Sequence, residues 1–272
     1  MTRTANNPMK EPSRSIDYGL VGKAALITGV SRRIGIGAAV ALELAKAGCN
    51  IYTTWYSPFD RLAYGIDSST EAQEILEAVR GQGVLAGGLQ ADLSDPHTPA
   101  RVFDAAEQAL GPVDILINNA AYSLNANIYT LTAELMDAHY AVNLRGAVLM
   151  CAEFAHRHDG RQGGRIINLT SGQSVGPMPE EIPYITTKGA VEALTTSLSA
   201  ALIQKGITVN AVDPGATDTG WITPDFYTEL VAASPAGRVG TPLDAARIIL
   251  FLASAQSGWV TGQIVHSRGG AR

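Results

Sequence analysis

Short apolar runs alternate with longer segments of helical periodicity along nearly the whole chain, and this alternation restricts the fold more than any other feature. The runs are apolar throughout, which is typical of strands that are covered on both faces. Strands separated by crossover helices indicate a parallel sheet. The predicted strands are 24–28, 50–55, 84–90, 113–118, 165–169, 207–212 and 263–266, and the predicted helices are 36–47, 68–80, 99–109, 132–158, 183–204 and 243–253.

We therefore predict an α/β fold, namely a doubly wound Rossmann fold with a seven-stranded parallel sheet and helices on both faces. Residues 18–272 are expected to form one domain, because no linker, repeat or low-complexity segment divides them. Residues 1–17 are expected to form a flexible N-terminal tail. The pattern from Ser68 to Glu71 predicts a capping box at the start of the second helix. The segment 56–67 is predicted to be an unusually long connection.

Composition and charge exclude several classes of function. The net charge of −5 and the pI near 5.5 argue against a protein that mainly binds nucleic acid or an anionic membrane. No apolar run approaches the ~20 residues that span a bilayer, and the N-terminus lacks a secretory signal, so we expect a cytoplasmic protein. Cys49 and Cys151 are expected to be buried apolar side chains and not a disulfide. No cluster of Cys and His has zinc spacing, so no metal site is predicted.

A glycine-rich stretch, TGVSRRIGIG, connects the first predicted strand to the first helix at residues 28–37. In folds of this class, ligands bind at the carboxyl ends of the strands, where such a turn brings backbone N–H groups close to a phosphate. The alternative interpretation is only a tight strand-to-helix turn. Five residues separate Gly29 from Gly35, and the better register uses Gly35 and Gly37 as the glycines at the helix start. The other register would put the bulky Arg33 where the backbone must approach the ligand.

A tyrosine and a lysine four residues apart indicate acid/base chemistry. Tyr184 and Lys188 fall on one face of a predicted helix, where a nearby ammonium is expected to lower the pKa of the phenol. A phenol with such a pKa suits a general acid or base. Ser171 leaves the fifth predicted strand thirteen residues before Tyr184, at the same edge of the sheet, so its hydroxyl is expected to meet the same reacting oxygen.

Taken together, these motifs are similar to those of the short-chain dehydrogenase/reductase family, in its single-domain branch, and most resemble the beta-ketoacyl carrier-protein reductase group. The resemblance extends from about residue 21 to residue 270. The motifs that carry it are Thr28-Gly29 with Gly35-Ile36-Gly37, Asp92-Leu93, Asn118 to Ala121, Asn143, Ser171, Tyr184, Lys188, Asp213-Pro214-Gly215, Thr219, and Thr261-Gly262-Gln263.

The resemblance implies a role for each catalytic position. Tyr184 would exchange a proton with the carbonyl or alcohol oxygen, and Ser171 would orient that oxygen. Lys188 would lower the pKa of Tyr184 and hold the nicotinamide ribose. Asn143 would hold a water that relays protons from Lys188, although an asparagine there can also simply satisfy backbone groups inside the fold.

The resemblance also implies a dinucleotide site along the strand exits. Asp92 and Leu93 would flank the adenine, Asn119 and Ala120 would line the adenosine ribose, and the loop from Pro214 would hold the nicotinamide. The full set expected to contact the cofactor is Gly29, Ser31, Arg32, Arg33, Gly35, Ile36, Gly37, Trp55, Asp92, Leu93, Asn119, Ala120, Tyr184, Lys188, Pro214, Gly215, Thr217 and Thr219.

The choice between NADP(H) and NAD(H) depends on the end of the second strand. A carboxylate there would hydrogen-bond the ribose hydroxyls and repel a 2′-phosphate, but Trp55 occupies that position and Tyr56 follows it. Arg32 and Arg33 lie in the adjacent turn, and the guanidinium fork matches phosphate geometry. We therefore favour NADP(H) over NAD(H). The alternative is that both arginines are solvated loop charges.

The leading functional hypothesis is an oxidoreductase that transfers a hydride between NADP(H) and a ketone or secondary alcohol. One alternative is an NAD-dependent dehydrogenase of a secondary alcohol or sugar, and another is a non-catalytic nucleotide-binding regulator, which the complete catalytic set disfavours. The gap of three residues between Tyr184 and Lys188 resembles that of relatives that act on C=O and not on C=C bonds.

The expected partners are a small-molecule substrate and further copies of the chain. These copies would form a homo-oligomer, a dimer or tetramer, through helices 132–158 and 183–204. Residues 172–183 and 221–235 are expected to flank the substrate pocket.

Overall fold

The computed structural model describes residues 16–271, so the predicted tail lies almost wholly outside the described residues. Seven parallel strands form one sheet in the order β3-β2-β1-β4-β5-β6-β7. This confirms the predicted doubly wound fold. The strands are β1 (Ala24–Ile27), β2 (Asn50–Trp55), β3 (Ala86–Gln90), β4 (Ile115–Asn118), β5 (Gly164–Leu169), β6 (Ile207–Asp213) and β7 (Ile264–His266).

Helices connect the strands and cover both faces of the sheet. Within the described residues they are α1 (Ile36–Lys46), α2 (Ser57–Tyr64), α3 (Ser69–Arg80), α4 (Thr98–Leu110), α5 (Ala133–His139), α6 (Ala147–Arg157), α7 (Ile182–Leu202), α8 (Pro224–Ala233) and α9 (Pro242–Ala253). In this part of the chain, none of them is both long and apolar enough to cross a membrane.

Two apolar clusters pack on opposite faces of the sheet. One contains Val40 and Leu44 of α1 with Ile249 of α9, and the other contains Phe103 of α4 with Phe154 of α6. Because both faces are covered, the central strands are mostly apolar on both faces, as the sequence predicted. The free thiols Cys49 and Cys151 are buried, each in a different cluster.

Three local predictions need correction. The segment 56–67 contains helix α2, and its signal was present in the helical spacing of Phe59, Leu62 and Ala63 before Gly65. The predicted helix 132–158 is interrupted by a π-helical turn at Tyr140–Gly146. The capping box at Ser68 is wrong, because the Ser68 hydroxyl accepts no hydrogen bond from the N–H groups of its helix and instead donates to the buried Asp60 carboxylate at 2.5 Å.

The ends of β1 and β4 are joined tightly at the point where the strand order reverses. Thr28 Oγ1 accepts from the N–H groups of Asn119 and Ala120, both at 3.1 Å. Asn119 Nδ2 donates to the carbonyls of Thr28 and Gly29, both at 2.9 Å. Gly29 has a φ of +74°, and a Cβ there would lie 2.6 Å from Ala120 Cα. This junction therefore requires glycine, both for its conformation and for its space.

We predict that Gly29→Ala destabilises the protein much more than Gly65→Ala. Gly65 has nearly the same φ, +70°, but an added Cβ would meet nothing within 4 Å. In the control, the free energy of unfolding should fall only by the cost of placing alanine in a left-handed conformation, about 1–2 kcal/mol. In Gly29→Ala it should fall by a further ~1–3 kcal/mol, because the backbone of β4 must move. Urea denaturation measures both, and equal losses would contradict the close approach of β1 and β4.

Candidate active site

A cleft of about 1310 Å³ lies over the carboxyl ends of the strands. It exceeds the roughly 300–1,000 Å³ of an ordinary small-molecule pocket, so it has room for an extended ligand and a second molecule. The predicted site residues that line it are Gly29, Ser31, Arg32, Gly35, Ile36, Gly37, Trp55, Asp92, Leu93, Asn119, Ala120, Ser171, Tyr184, Pro214, Gly215, Thr217 and Thr219. Lys188 and Asn143 lie buried next to the cleft, and Arg33 is not among its lining residues.

The glycine-rich turn leaves the N-terminus of α1 open to the cleft. The helix begins at Ile36 with Gly35 as its N-cap, without a side-chain cap among the described residues and without an acidic residue in its first turn. A Cβ on Gly37 would lie 2.8 Å from Asn119 Nδ2 and 2.9 Å from the Gly29 carbonyl oxygen. This agrees with the register that uses Gly35 and Gly37. Uncapped N–H groups at a helix start fit a dinucleotide pyrophosphate.

The two arginines of the turn have different surroundings. Arg32 lines the cleft, where Nη1 donates to the Thr219 carbonyl at 2.9 Å and the guanidinium lies 3.7 Å above the Tyr64 ring centroid. The structure does not bring Arg33 to the cleft. Its side chain is 62% exposed and forms an ion pair with Glu74, while its backbone N–H donates to Glu71 at 2.8 Å. The turn thus directs one arginine inward and the other outward.

No carboxylate ends β2. Trp55 is buried there, and its indole Nε1 has no hydrogen-bond partner among residues 16–271. Burial raises the pKa of the neighbouring Tyr56, and a hydrogen bond with Asp92 raises it further. The Asp92 carboxylate therefore lies beside Tyr56 and also accepts from the Ser94 N–H at 2.8 Å.

The predicted proton-transfer groups meet at the other part of the cleft. Ser171 follows β5, Tyr184 lies in the first turn of α7, and the Ser171 hydroxyl lies near enough to the phenol to lower its pKa. Lys188 is only 3% exposed, and its Nζ donates to the Leu169 carbonyl at 2.8 Å. The same Nζ lies 5.4 Å from the Tyr184 ring centroid.

The pKa of Tyr184 differs from the sequence prediction. Burial raises it above its usual value, the nearby Glu181 carboxylate raises it further, and only the Ser171 hydrogen bond lowers it. The expected lowering by Lys188 is not among these effects. Burial lowers the pKa of the Lys188 ammonium itself to about 8. Tyr184 is therefore a phenol at neutral pH, in the form that can donate a proton.

Asn143 makes contacts that are sufficient for a purely structural role. It lies in the π-helical turn, and its amide exchanges two hydrogen bonds with the backbone of Tyr122, at 2.6 and 2.8 Å. Nδ2 also donates to Thr187 Oγ1 at 3.2 Å. The Asn143 side chain therefore fixes the loop after β4 to α7, at the residue that precedes Lys188. A water relay at this position stays a prediction.

Glu192 is a functional residue that the sequence analysis missed. Its Oε1 accepts hydrogen bonds from Thr170 Oγ1 at 3.0 Å, Gln173 Nε2 at 2.7 Å and Ser174 Oγ at 3.3 Å. These three donors surround Ser171 in the chain, so the carboxylate holds the turn that carries the serine. A signal was available, since Glu192 follows Lys188 by four residues and so shares its helix face.

Arg268 is a second missed residue, and it had no local signal. It lines the cleft, and its Nη1 donates to Asp213 Oδ2 at 3.1 Å. A Cβ on Gly172 would lie 2.3 Å from Nη1, and one on Gly215 would lie 3.0 Å from Cγ. Arg268 therefore packs between the turn after Ser171 and the turn after β6, where Gly215 has a φ of +65° and a Cβ would also meet the Arg268 backbone at 3.2 Å.

We predict that Lys188→Met changes stability in a pH-dependent way. Between pH 8 and 10.5 the unfolded chain binds more protons than the folded one, because the folded pKa of Lys188 is lowered to about 8 from 10.5. The wild type therefore gains stability over this range, by up to about 3 kcal/mol, and the methionine variant does not. Urea denaturation at pH 7 and pH 10 should show the variant relatively more stable at pH 7.

The exposed Lys205 provides the control for this measurement. The free energy of unfolding of Lys205→Met should differ from that of the wild type by the same amount at both pH values. A stability difference for Lys188→Met that also stayed constant from pH 7 to pH 10 would contradict the lowered pKa.

Comparisons with known proteins show the family to which the chain belongs. The family model described as enoyl-(acyl carrier protein) reductase matches residues 29–272. The chain is 44% identical over 250 residues to an uncharacterised oxidoreductase of Bacillus subtilis. This match covers 91% of the chain and 96% of the relative. It is 38% identical to a chloroplastic NADPH-dependent aldehyde reductase-like protein of Arabidopsis thaliana, with 92% and 94% covered.

A solved structure agrees in fold as well. The angucycline C-6 ketoreductase LanV, with bound NADP, superposes on the chain with a TM-score of 0.83 at 31% sequence identity. The match covers 92% of this chain and 96% of that one. With nearly the whole length matched in both sequence and fold, the chain belongs to the short-chain dehydrogenase/reductase family of NAD(P)-dependent oxidoreductases.

Proposed function

We propose that the protein reduces a ketone to a secondary alcohol with NADPH, and that Tyr184 donates the proton. The observation that carries the proposal is the pairing of Tyr184 with Ser171 in the cleft that also contains the uncapped start of α1. One part of the cleft then suits a pyrophosphate, and the other suits a carbonyl oxygen.

The proton chemistry follows from the surroundings of Tyr184. A bound nicotinamide supplies the hydride that reaches the carbonyl carbon. The Ser171 hydroxyl orients the carbonyl oxygen, and Tyr184 transfers its proton to that oxygen as the C=O π bond breaks. Because burial raises the pKa of Tyr184, the phenol stays protonated at neutral pH, which favours reduction over oxidation. Lys188 is mostly charged below its pKa of about 8 and stabilises the phenolate that remains.

The choice of a C=O bond over a C=C bond is supported by two observations. Three residues separate Tyr184 from Lys188, as in carbonyl-reducing relatives. One similar protein is named an aldehyde reductase-like protein and another a ketoreductase. The family model carries the name of an enoyl reductase, so an enoyl substrate belongs in the test.

We predict that Tyr184→Phe lowers kcat for ketone reduction by about 10²–10⁴-fold, because the proton donor is lost. NADPH binding, followed by fluorescence, should be retained, since the ring stays in place. Turnover is measured by NADPH absorbance on a panel of ketones, beta-keto thioesters and an enoyl thioester.

Two results would contradict the mechanism. One is unchanged turnover in Tyr184→Phe, and the other is a wild type that reduces only the enoyl thioester. A protein that binds NADPH but turns over nothing on the panel would instead support the non-catalytic regulator.

The preference for NADP(H) over NAD(H) is also part of the proposal. It is supported by the absence of a carboxylate at the end of β2 and by Arg32 in the cleft. Among described residues Arg32 uses one nitrogen, Nη1, for Thr219, and the rest of the fork is available to a phosphate. The names of two similar proteins include NADPH or bound NADP. An NAD-dependent dehydrogenase remains the alternative.

We predict that Arg32→Ala lowers the ratio of kcat/KM for NADPH to that for NADH by about tenfold or more, because a charge-assisted hydrogen bond to the 2′-phosphate is lost. Arg33→Ala is the matched control and should leave the ratio within about twofold, because Arg33 pairs with Glu74. The ratio cancels any general effect of losing the Thr219 contact. A wild-type preference for NADH, or equal effects of both variants, would refute the role of Arg32.

We also infer that the protein works on a small molecule in the cytoplasm as a homo-oligomer, a dimer or tetramer. The support for an oligomer is the outer face of α7, where Ala193 is exposed and Leu194 is half-buried. Leu198 of the same helix packs into the core of its own chain. The face that α7 offers to a second copy is therefore only partly apolar.

A further inference from the structure

Two consecutive glutamates line the cleft near Tyr184, but they differ in their contacts. Glu180 is exposed, and its carboxylate accepts a hydrogen bond from Asn127 Nδ2 at 2.9 Å. Glu181 is half-buried, and no side chain or backbone group of residues 16–271 forms a hydrogen bond or ion pair with its carboxylate. Glu181 therefore presents to the cleft a carboxylate that has no partner among these residues.

The backbone holds Glu181 in a fixed place beside the proton donor. Glu181 is the N-cap residue of α7, three positions before Tyr184, so the two side chains leave the same part of the helix. The Glu181 N–H donates to the Met178 carbonyl at 3.1 Å, and the next N–H donates to the Ala126 carbonyl at 3.0 Å. The carboxylate does not cap its own helix. Its position is thus set, while its oxygens stay available.

An unpaired carboxylate in this position is unfavourable for the folded protein alone. Burial raises the pKa of Glu181, which shows that its charged form is poorly solvated. Glu181 also raises the pKa of Tyr184 through its charge. A group that costs stability and faces a ligand cleft is typical of a residue that is satisfied by the ligand.

The lining of the cleft favours a neutral donor to Glu181 over a charged one. It includes two aromatic pairs, Phe59 with Tyr122 at 4.9 Å and Trp221 with Phe226 at 5.8 Å between ring centroids. Arg268 also lines the cleft, but its guanidinium is paired with Asp213. An ammonium group would have to be desolvated among the aromatic rings, and an acidic group would meet the charge of Glu181 itself. A hydroxyl group satisfies the carboxylate without either cost.

We propose that the Glu181 carboxylate accepts a hydrogen bond from a hydroxyl group that the substrate carries near its reacting carbonyl. The enzyme then selects hydroxylated ring ketones over the same ketones without the hydroxyl and over keto acids. This inference rests on the proposed ketone reduction. A hydrogen bond to a charged acceptor contributes roughly 1.5–3 kcal/mol, which corresponds to about 10–100-fold in kcat/KM.

The test compares 1-tetralone with 3-hydroxy- and 4-hydroxy-1-tetralone, with NADPH as the reductant. In the wild type, at least one hydroxylated ketone should exceed 1-tetralone by about tenfold or more in kcat/KM. Glu181→Gln should reduce this ratio about tenfold, and Glu181→Leu should remove it. The matched control, Glu180→Gln, should keep the wild-type ratio, because Glu180 is already engaged with Asn127.

A pH profile gives a readout that a merely structural role would not change. Because the Glu181 charge raises the pKa of Tyr184, its removal should lower that pKa. The alkaline decline of kcat for 1-tetralone should therefore begin at lower pH in Glu181→Gln than in the wild type. Glu180→Gln should leave the profile in place.

The outcomes separate this inference from the proposed function. A wild type that reduces no ketone would overturn both. A wild type that reduces 1-tetralone and both hydroxylated ketones equally well would overturn only the role of Glu181. The same conclusion would follow if Glu181→Gln and Glu181→Leu kept the wild-type ratio.

Discussion

The close approach of β1 and β4 at their carboxyl ends is the constraint on which the whole site depends. Without a side chain at Gly29, the two backbones come near enough for Asn119 to bond both carbonyls that end β1. The strand order reverses at this junction, so the crossover helices leave in opposite directions and a cleft opens above it. The cofactor turn and the loop after β4 are therefore parts of one connected structure.

Buried polar side chains extend this order from the sheet to α7. Asn118 Nδ2 donates to Asn168 Oδ1 at 2.9 Å, and Asn168 Nδ2 donates to Thr195 Oγ1 at 2.9 Å. These groups lie in an apolar interior, where an unmade hydrogen bond costs about 1–3 kcal/mol. The pairing of β4, β5 and α7 is thus restricted to the arrangement that satisfies them. Lys188 adds a further contact between α7 and β5 through the Leu169 carbonyl.

Apolar periodicity was enough to predict the strands, the doubly wound fold and the edge of the sheet where the site lies. The register of the glycine turn was also predictable, because only glycine fits at residue 37. The directions of Arg32 and Arg33 were not, since they depend on Thr219, Tyr64 and Glu74, which are distant in the chain.

The protonation of the site was the least predictable property. The sequence places an ammonium near a phenol, but it does not show that Lys188 is buried against a carbonyl or that Glu181 lies nearby. Arg268 was equally inaccessible, because it reaches the cleft from the C-terminal end and pairs with Asp213. Helix α2, by contrast, is recognisable from the helical spacing of its apolar residues before Gly65.

Helix α7 has a mechanical consequence. It is continuous over 21 residues, and Tyr184, Lys188 and Glu192 all project from it, with Glu181 at its cap. A helix of this length moves as a stiff rod, so these groups keep their mutual spacing when the helix shifts against the sheet. The spacing between Tyr184 and Lys188 is therefore independent of the shape of residues 176–180 and 219–230, which contribute to the lining of the cleft.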